Sequence, residues 1–134
     1  MYRLAIKKLF RWKEKPNRKP LIIEGARQVG KTWLMKEFGE KAYNQTVYIN
    51  FDSNTTMSDL FSYDLDTNRL ITGIELYSGQ KIDPDNTLLI FDEIQEVPQA
   101  LSALKYFYEM RLNIISYAHA HLWESRFIKE HRFR

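Results

Sequence analysis

The residues Gly25-Ala26-Arg27-Gln28-Val29-Gly30-Lys31-Thr32 constrain this chain more than any other stretch. They read G-x-x-x-x-G-K-T, a pattern that carries chemistry only between a strand and a helix. Both neighbours suit. The apolar run Leu21-Ile22-Ile23 predicts a buried strand, and Trp33–Phe38 predicts a helix with Gly39 at its C-cap. Gly25 and Gly30 admit backbone angles and a close approach that a Cβ would block. Backbone amides from Gly25 through Thr32, with the positive end of the helix, would then surround a polyphosphate. Lys31 would reach the β- and γ-phosphates, and the Thr32 hydroxyl would ligate Mg²⁺. Arg27 suits a phosphate contact and a structural role about equally. The plain alternative is a glycine turn before an ordinary helix, but four fixed residues in this context rarely coincide by chance. The expectation is a nucleoside-triphosphate site.

The rest of the chain reads as alternating helices and strands. Residues 3–14 predict an amphipathic helix ended by Pro16, followed by the polar linker Asn17–Pro20. Thr46–Asp52 is rich in β-branched and aromatic residues and predicts a second strand. Short helices are expected around Met57–Tyr63 and Asn68–Tyr77, then turn residues over Lys81–Asn86. The continuous apolar run Thr87–Asp92 predicts a strand covered on both faces. Gln99–Met110 predicts a helix, and Asn113–Ser116 begins another strand. This alternation implies an α/β fold, a doubly wound parallel sheet of the P-loop NTPase type.

Asp92 and Glu93 supply the second half of the expected site. An acid ending a buried strand lies at the carboxyl edge of the sheet, where open α/β sheets bind ligands. Asp92 there would hold Mg²⁺ through water beside Thr32, and Glu93 would polarise an attacking water as general base. Many strands end at an Asp, so the pair gains meaning only by following the glycine loop with one strand between.

Charge is uneven along the chain. Residues 1–20 carry eight Lys and Arg against Glu14 alone, while residues 50–99 carry ten Asp and Glu against Arg69 and Lys81. The basic leader reads foremost as the solvated side of a helix whose Leu4, Ile6, Leu9, Phe10 and Trp12 pack on the domain. Nucleic acid or an acidic partner is the second reading of that charge. The chain lacks cysteine, which excludes disulfides and Cys-based zinc sites. No apolar stretch is long enough for a membrane span, and the N-terminus lacks a secretory signal pattern, so a cytoplasmic location with no membrane partner is expected.

The sequence resembles a known family. Trp12-Lys13, Arg18 through Thr32, Tyr48-Ile-Asn-Phe-Asp52, Leu89-Ile-Phe-Asp-Glu-Ile-Gln95 and Leu104-Lys-Tyr-Phe-Tyr-Glu109 are similar to the bacterial and archaeal AAA-type ATPases with a C-terminal domain of unknown function. The resemblance runs from about Tyr2 to Ile115. It implies an ATPase core with ATP and Mg²⁺ as ligands, and with Lys31, Thr32, Asp92 and Glu93 in the roles above. It also implies that full members are considerably longer.

Beyond Ile115 the resemblance implies a small polar turn carrying a residue that senses the γ-phosphate, on a strand lying between the two motif-bearing strands. The segment 117–134 departs from that pattern. A shifted reading frame of its codons permits Cys-Ala-Cys-Ser-Ser-Leu-Gly, which holds such a turn, so a reading-frame accident is expected there. His119, His121 and His131 invite a metal reading, but no acidic cluster stands at ligand spacing. The expected organisation is a basic helix and linker over 1–19, a partial ATPase core over 20–116 and a divergent tail over 117–134 that packs poorly. Hydrolysis is then expected to be impaired. Self-association or a missing C-terminal domain would cover the apolar surface left open. A small P-loop phosphotransferase and a non-functional remnant stay open as alternatives.

Overall fold

The computed structural model describes residues 2–25, 30–119 and 132–133. Its order is α1 (Tyr2–Glu14), β1 (Leu21–Gly25), α2 (Lys31–Ala42), β2 (Gln45–Asn50), α3 (Thr55–Tyr63), α4 (Thr67–Ser78), β3 (Thr87–Asp92), a single 3-10 turn (Ile94–Glu96), α5 (Pro98–Glu109), β4 (Asn113–His119) and β5 (Arg132–Phe133). Four strands and the two-residue β5 form one parallel sheet in the order β2-β3-β4-β1-β5. The α/β expectation therefore holds, and β4 lies between the two strands that carry the glycine loop and the acidic pair.

Alternation along each strand splits the core in two. Ile22, Val47, Ile49, Leu89, Phe91, Ile114 and Ala118 face α3, α4 and α5. Leu21, Ile23, Leu88, Ile90, Ile115 and Tyr117 face α1 and α2. With both faces covered, the strands need apolar residues at every position, which is why Thr87–Asp92 reads as an unbroken apolar run. On one face Phe51, Phe61, Phe91 and Phe107 meet mainly edge to face, the Phe51 and Phe91 centroids 5.2 Å apart. Each such fully buried ring contributes about 1.5–3 kcal/mol. On the other, Phe38 is the hub for Phe10, Trp12 and Tyr43. The Trp12 indole donates to the Lys19 carbonyl at 2.7 Å, tying the linker back to α1. Leu9 and Trp12 are buried while Arg3, Lys7 and Arg11 are exposed, as the amphipathic pattern predicts, but Leu4, expected against the domain, is 57% exposed.

Local chemistry sets the helix ends. Asn54 caps α3 by accepting from the Met57 amide at 3.0 Å. Gly79 ends α4 in the left-handed region at φ 72°. Asp83 organises the turn before β3, taking hydrogen bonds from the Asp85 amide and the Asn86 side chain.

One sequence expectation needs correction. Gly39 is not the C-cap of α2; the helix continues to Ala42 and Tyr43 caps it. Gly39 is glycine because α2 rests there on the sheet: a Cβ would run into the Thr46 hydroxyl and come within 3.2 Å of Leu88 Cδ2. The strand begun by Asn113–Ser116, as expected, runs on through Tyr117, Ala118 and His119, all buried, so the first three residues of segment 117–134 belong to the sheet. A further short strand, β5, which the sequence does not predict, pairs with β1. The expectation that the tail packs poorly falls largely on residues 120–131, outside the described residues. Among the described residues no helix is long and apolar enough to cross a membrane.

The Gly39 contact yields a test. Gly39→Ala gains about 0.8–1 kcal/mol of helix propensity, but overpacking against Thr46 and Leu88 costs about 1–3 kcal/mol. A net loss of stability on urea unfolding is expected; a gain would place α2 further from the sheet than described.

Candidate functional site

Parallel pairing brings three strand ends to one edge. Gly25 at the end of β1 stands opposite His119 on β4, and Asp92 at the end of β3 stands opposite Tyr117 on β4 and Asn50 on β2. α2 begins beside them at Lys31, which is half-buried. Gly30 precedes it at φ 101°, a backbone conformation that L side chains rarely adopt. A Cβ at Gly25 would meet no described atom within 4 Å. Ala26, Arg27, Gln28 and Val29 lie outside the described residues.

The sheet edge and the helix start are joined through Asp92. The Thr32 hydroxyl donates to Asp92 Oδ2 at 2.7 Å, and the Tyr48 hydroxyl donates to the same oxygen at 2.6 Å. Asp92 is only 4% exposed. An anion that buried needs donors, and hydrogen bonds to ionised groups are the strong ones. Burial, then the hydrogen bond and charge of Asp92, push the Tyr48 phenol well above its ordinary value, so it keeps its proton and donates. The Lys36 ammonium sits 4.1 Å from the Tyr48 ring centroid and pins the ring from α2.

Glu93 adjoins this cluster in an unusual backbone state. Its φ is 56° and ψ 44°, left-handed for a residue with a side chain, at a cost of about 1–2 kcal/mol. Such strain clusters at functional sites. Its Oε1 accepts from Gln95 Nε2 at 2.8 Å and lies 3.4 Å from His119 Nε2. The His119 backbone amide donates back to Gln95 Oε1 at 3.4 Å. The Tyr117 hydroxyl donates to the Gly25 carbonyl at 3.3 Å, bridging β4 to the end of β1.

Thr32 and Asp92 are thus in direct contact, and Gly25, Gly30, Lys31 and Glu93 border the same sheet edge. Sequence reasoning did not single out Tyr48 and Gln95, and it considered His119 only as a metal ligand. Tyr48 and Gln95 lie inside the motifs Tyr48–Asp52 and Leu89–Gln95, but nothing in a motif says which of its members turn toward the site. Among the described residues no group of three or more His, Asp or Glu could enclose a metal. Thr32 and Asp92 nonetheless offer the hard oxygen donors that Mg²⁺ takes when substrate phosphates and waters complete its shell.

A parallel sheet in this order, with a glycine turn opening a helix beside an acidic strand end, defines an α/β domain of the P-loop NTPase type. The sequence model of the AAA domain family matches residues 17–121, and the chain belongs to that family. It is an ATPase-type domain. Among curated proteins none matches the chain. Two solved structures share the fold. One is the Aeropyrum pernix ORC1 protein in complex with DNA, 11% identical, with TM-score 0.50 over 89% of this chain and 38% of that one. The other is C. elegans PCH-2, 16% identical, with TM-score 0.51 over 99% of this chain and 37% of that one. The chain therefore spans under two-fifths of either structure's length.

The Tyr48 environment predicts a pH dependence. An unfolded tyrosine ionises near pH 10.0, whereas the folded phenol resists. The unfolded chain then releases a proton that the native one keeps, so this contribution to stability is complete below pH 10 and declines as pH rises beyond it. Urea midpoints measured upward from pH 9 should fall less steeply in Tyr48→Phe than in wild type. Parallel slopes would remove the buried phenol from the account.

Proposed function

We propose that the chain binds ATP as its Mg²⁺ complex at the carboxyl edge of β1, β3 and β4, in a site laid out for hydrolysis that is impaired in this chain. The observation that carries this reading is the Thr32–Asp92 hydrogen bond, which joins the first turn of α2 to the acidic strand end. It supports a single site made from the glycine loop and the acidic pair.

Each residue then has a role. The backbone amides of Gly25, Ala26, Arg27, Gln28, Val29, Gly30, Lys31 and Thr32 would hold the β- and γ-phosphate oxygens at the positive end of α2. The Lys31 ammonium meets the same oxygens. Thr32 through its hydroxyl oxygen and Asp92 through a carboxylate oxygen, by way of water, would hold the metal, which would supply charge to offset the phosphates. Glu93 takes a proton from the attacking water. The water oxygen bonds to the γ-phosphorus as the bond to the bridging oxygen breaks, releasing ADP and phosphate. Gln95 and His119 hold Glu93 Oε1, so the base is oriented before substrate arrives. Expectations about the organisation into 1–19, 20–116 and 117–134, and about the longer protein's partners, join this proposal. They include a second copy or a C-terminal domain on the core, and nucleic acid at the basic leader.

Two substitutions separate binding from chemistry. Lys31→Ala should weaken Mg-ATP binding by about 1.5–3 kcal/mol, the worth of a charge-assisted contact, and leave the melting temperature of the free protein nearly unchanged. Calorimetric titration checks it; equal affinities would take the loop out of the mechanism. Glu93→Gln keeps the shape of the side chain but cannot accept a proton. It should bind Mg-ATP as wild type does and lower the phosphate release that wild type retains by roughly 10²–10⁴-fold. Wild-type turnover that persists in Glu93→Gln would assign the base elsewhere.

A further inference from the structure

We propose that Tyr48 is a positioning residue for the metal–nucleotide site: its hydroxyl fixes the Asp92 carboxylate so that the other oxygen faces the metal. The inference rests on the role given to Asp92 above.

The geometry comes from the sheet. Tyr48 on β2 pairs with Ile90, two residues before Asp92 on the neighbouring strand β3. Ile90 and Asp92 share the α2 side of the sheet, and a tyrosine is long enough to reach the diagonal neighbour. Its hydroxyl arrives 2.6 Å from Asp92 Oδ2, while Thr32 meets that oxygen at 2.7 Å from α2. Two donors from two different elements converge on one oxygen and so fix the plane of the carboxylate. Among the described residues no side chain donates to Oδ1, which leaves that oxygen for a metal or its waters.

Packing alone does not account for the hydroxyl. Phenylalanine would cover Ile90 and receive the Lys36 ammonium on its ring equally well. The hydroxyl's acceptor among the described residues is Asp92, and the ring that carries it is held by Lys36 at 4.1 Å. Lys36 stands on the same helix as Lys31 and Thr32, so α2 orients Asp92 twice: through Thr32 directly and through Lys36 and Tyr48. A group that fixes a metal ligand without touching the metal typically sets affinity by roughly 10–100-fold.

The test is calorimetric titration of ATP into the whole chain at a series of Mg²⁺ concentrations and in EDTA, for wild type and Tyr48→Phe. The Mg²⁺ concentration that half-completes the gain in ATP affinity should rise roughly 10–100-fold in the variant, with ATP affinity in EDTA within about twofold of wild type. An unchanged Mg²⁺ requirement overturns the inference and leaves the Asp92 reading intact. An equal loss with and without Mg²⁺ also overturns it, because the hydroxyl would then serve stability alone. A wild type whose ATP affinity does not respond to Mg²⁺ overturns both. If Tyr48→Phe does not melt cooperatively, Lys36→Met decides, since it loosens the ring and keeps the hydroxyl. A Mg²⁺ requirement raised several-fold supports the inference, and an unchanged one ends it.

Discussion

A nearly buried carboxylate governs this structure. Asp92 ends β3 at 4% exposure, and an anion removed from water is tolerated only when hydrogen bonds replace its hydration. Thr32 and Tyr48 supply them, one from the helix that opens at the glycine loop and one from the edge strand. Three elements must therefore be in register before the charge is satisfied. The β2–β3 pairing fixes Tyr48, the crossing of α2 over the sheet fixes Thr32, and Gly39 lets α2 lie close enough for both. A shift of any one would leave a buried charge short of a donor.

Glu93 answers to a different constraint. It leaves the strand in a left-handed conformation that sends the chain into a 3-10 turn, and that turn brings Gln95 back toward it. β4 closes the arrangement by presenting His119 from between the two motif-bearing strands. The neighbouring acids thus have separate environments: Asp92 is held by hydroxyls on the α2 side, and Glu93 by an amide and an imidazole. That separation fits a division between holding metal and moving a proton.

Much of this was legible in the sequence because it rests on periodicity and on residues with few alternatives. Unbroken apolar runs at Leu21–Ile23 and Thr87–Phe91 announce strands buried on both faces, and the spacing of the glycines and Lys31 announces the turn into α2. The misreadings have physical causes. Gly39 ends an apolar pattern as a capping glycine would, and only the closeness of Thr46 and Leu88 reveals it as a packing glycine. Tyr48 reads as an ordinary strand aromatic, since its contact with Asp92 depends on which strand lies beside β2. His119 follows a stretch without an apolar period, and its place at the sheet edge comes from pairing with Gly25, far away in sequence.

In the proposed function, the glycine loop and Asp92 form one site for Mg-ATP. Thermal unfolding of the whole chain against rising Mg-ATP tests it most directly, because a ligand bound only by the native state raises stability by mass action. A cooperative transition should move steadily upward, with a gain of about 2.7 kcal/mol once free ligand is about a hundredfold above Kd. ATP in EDTA should produce a smaller gain. A transition that stays where it was at millimolar Mg-ATP would contradict the account.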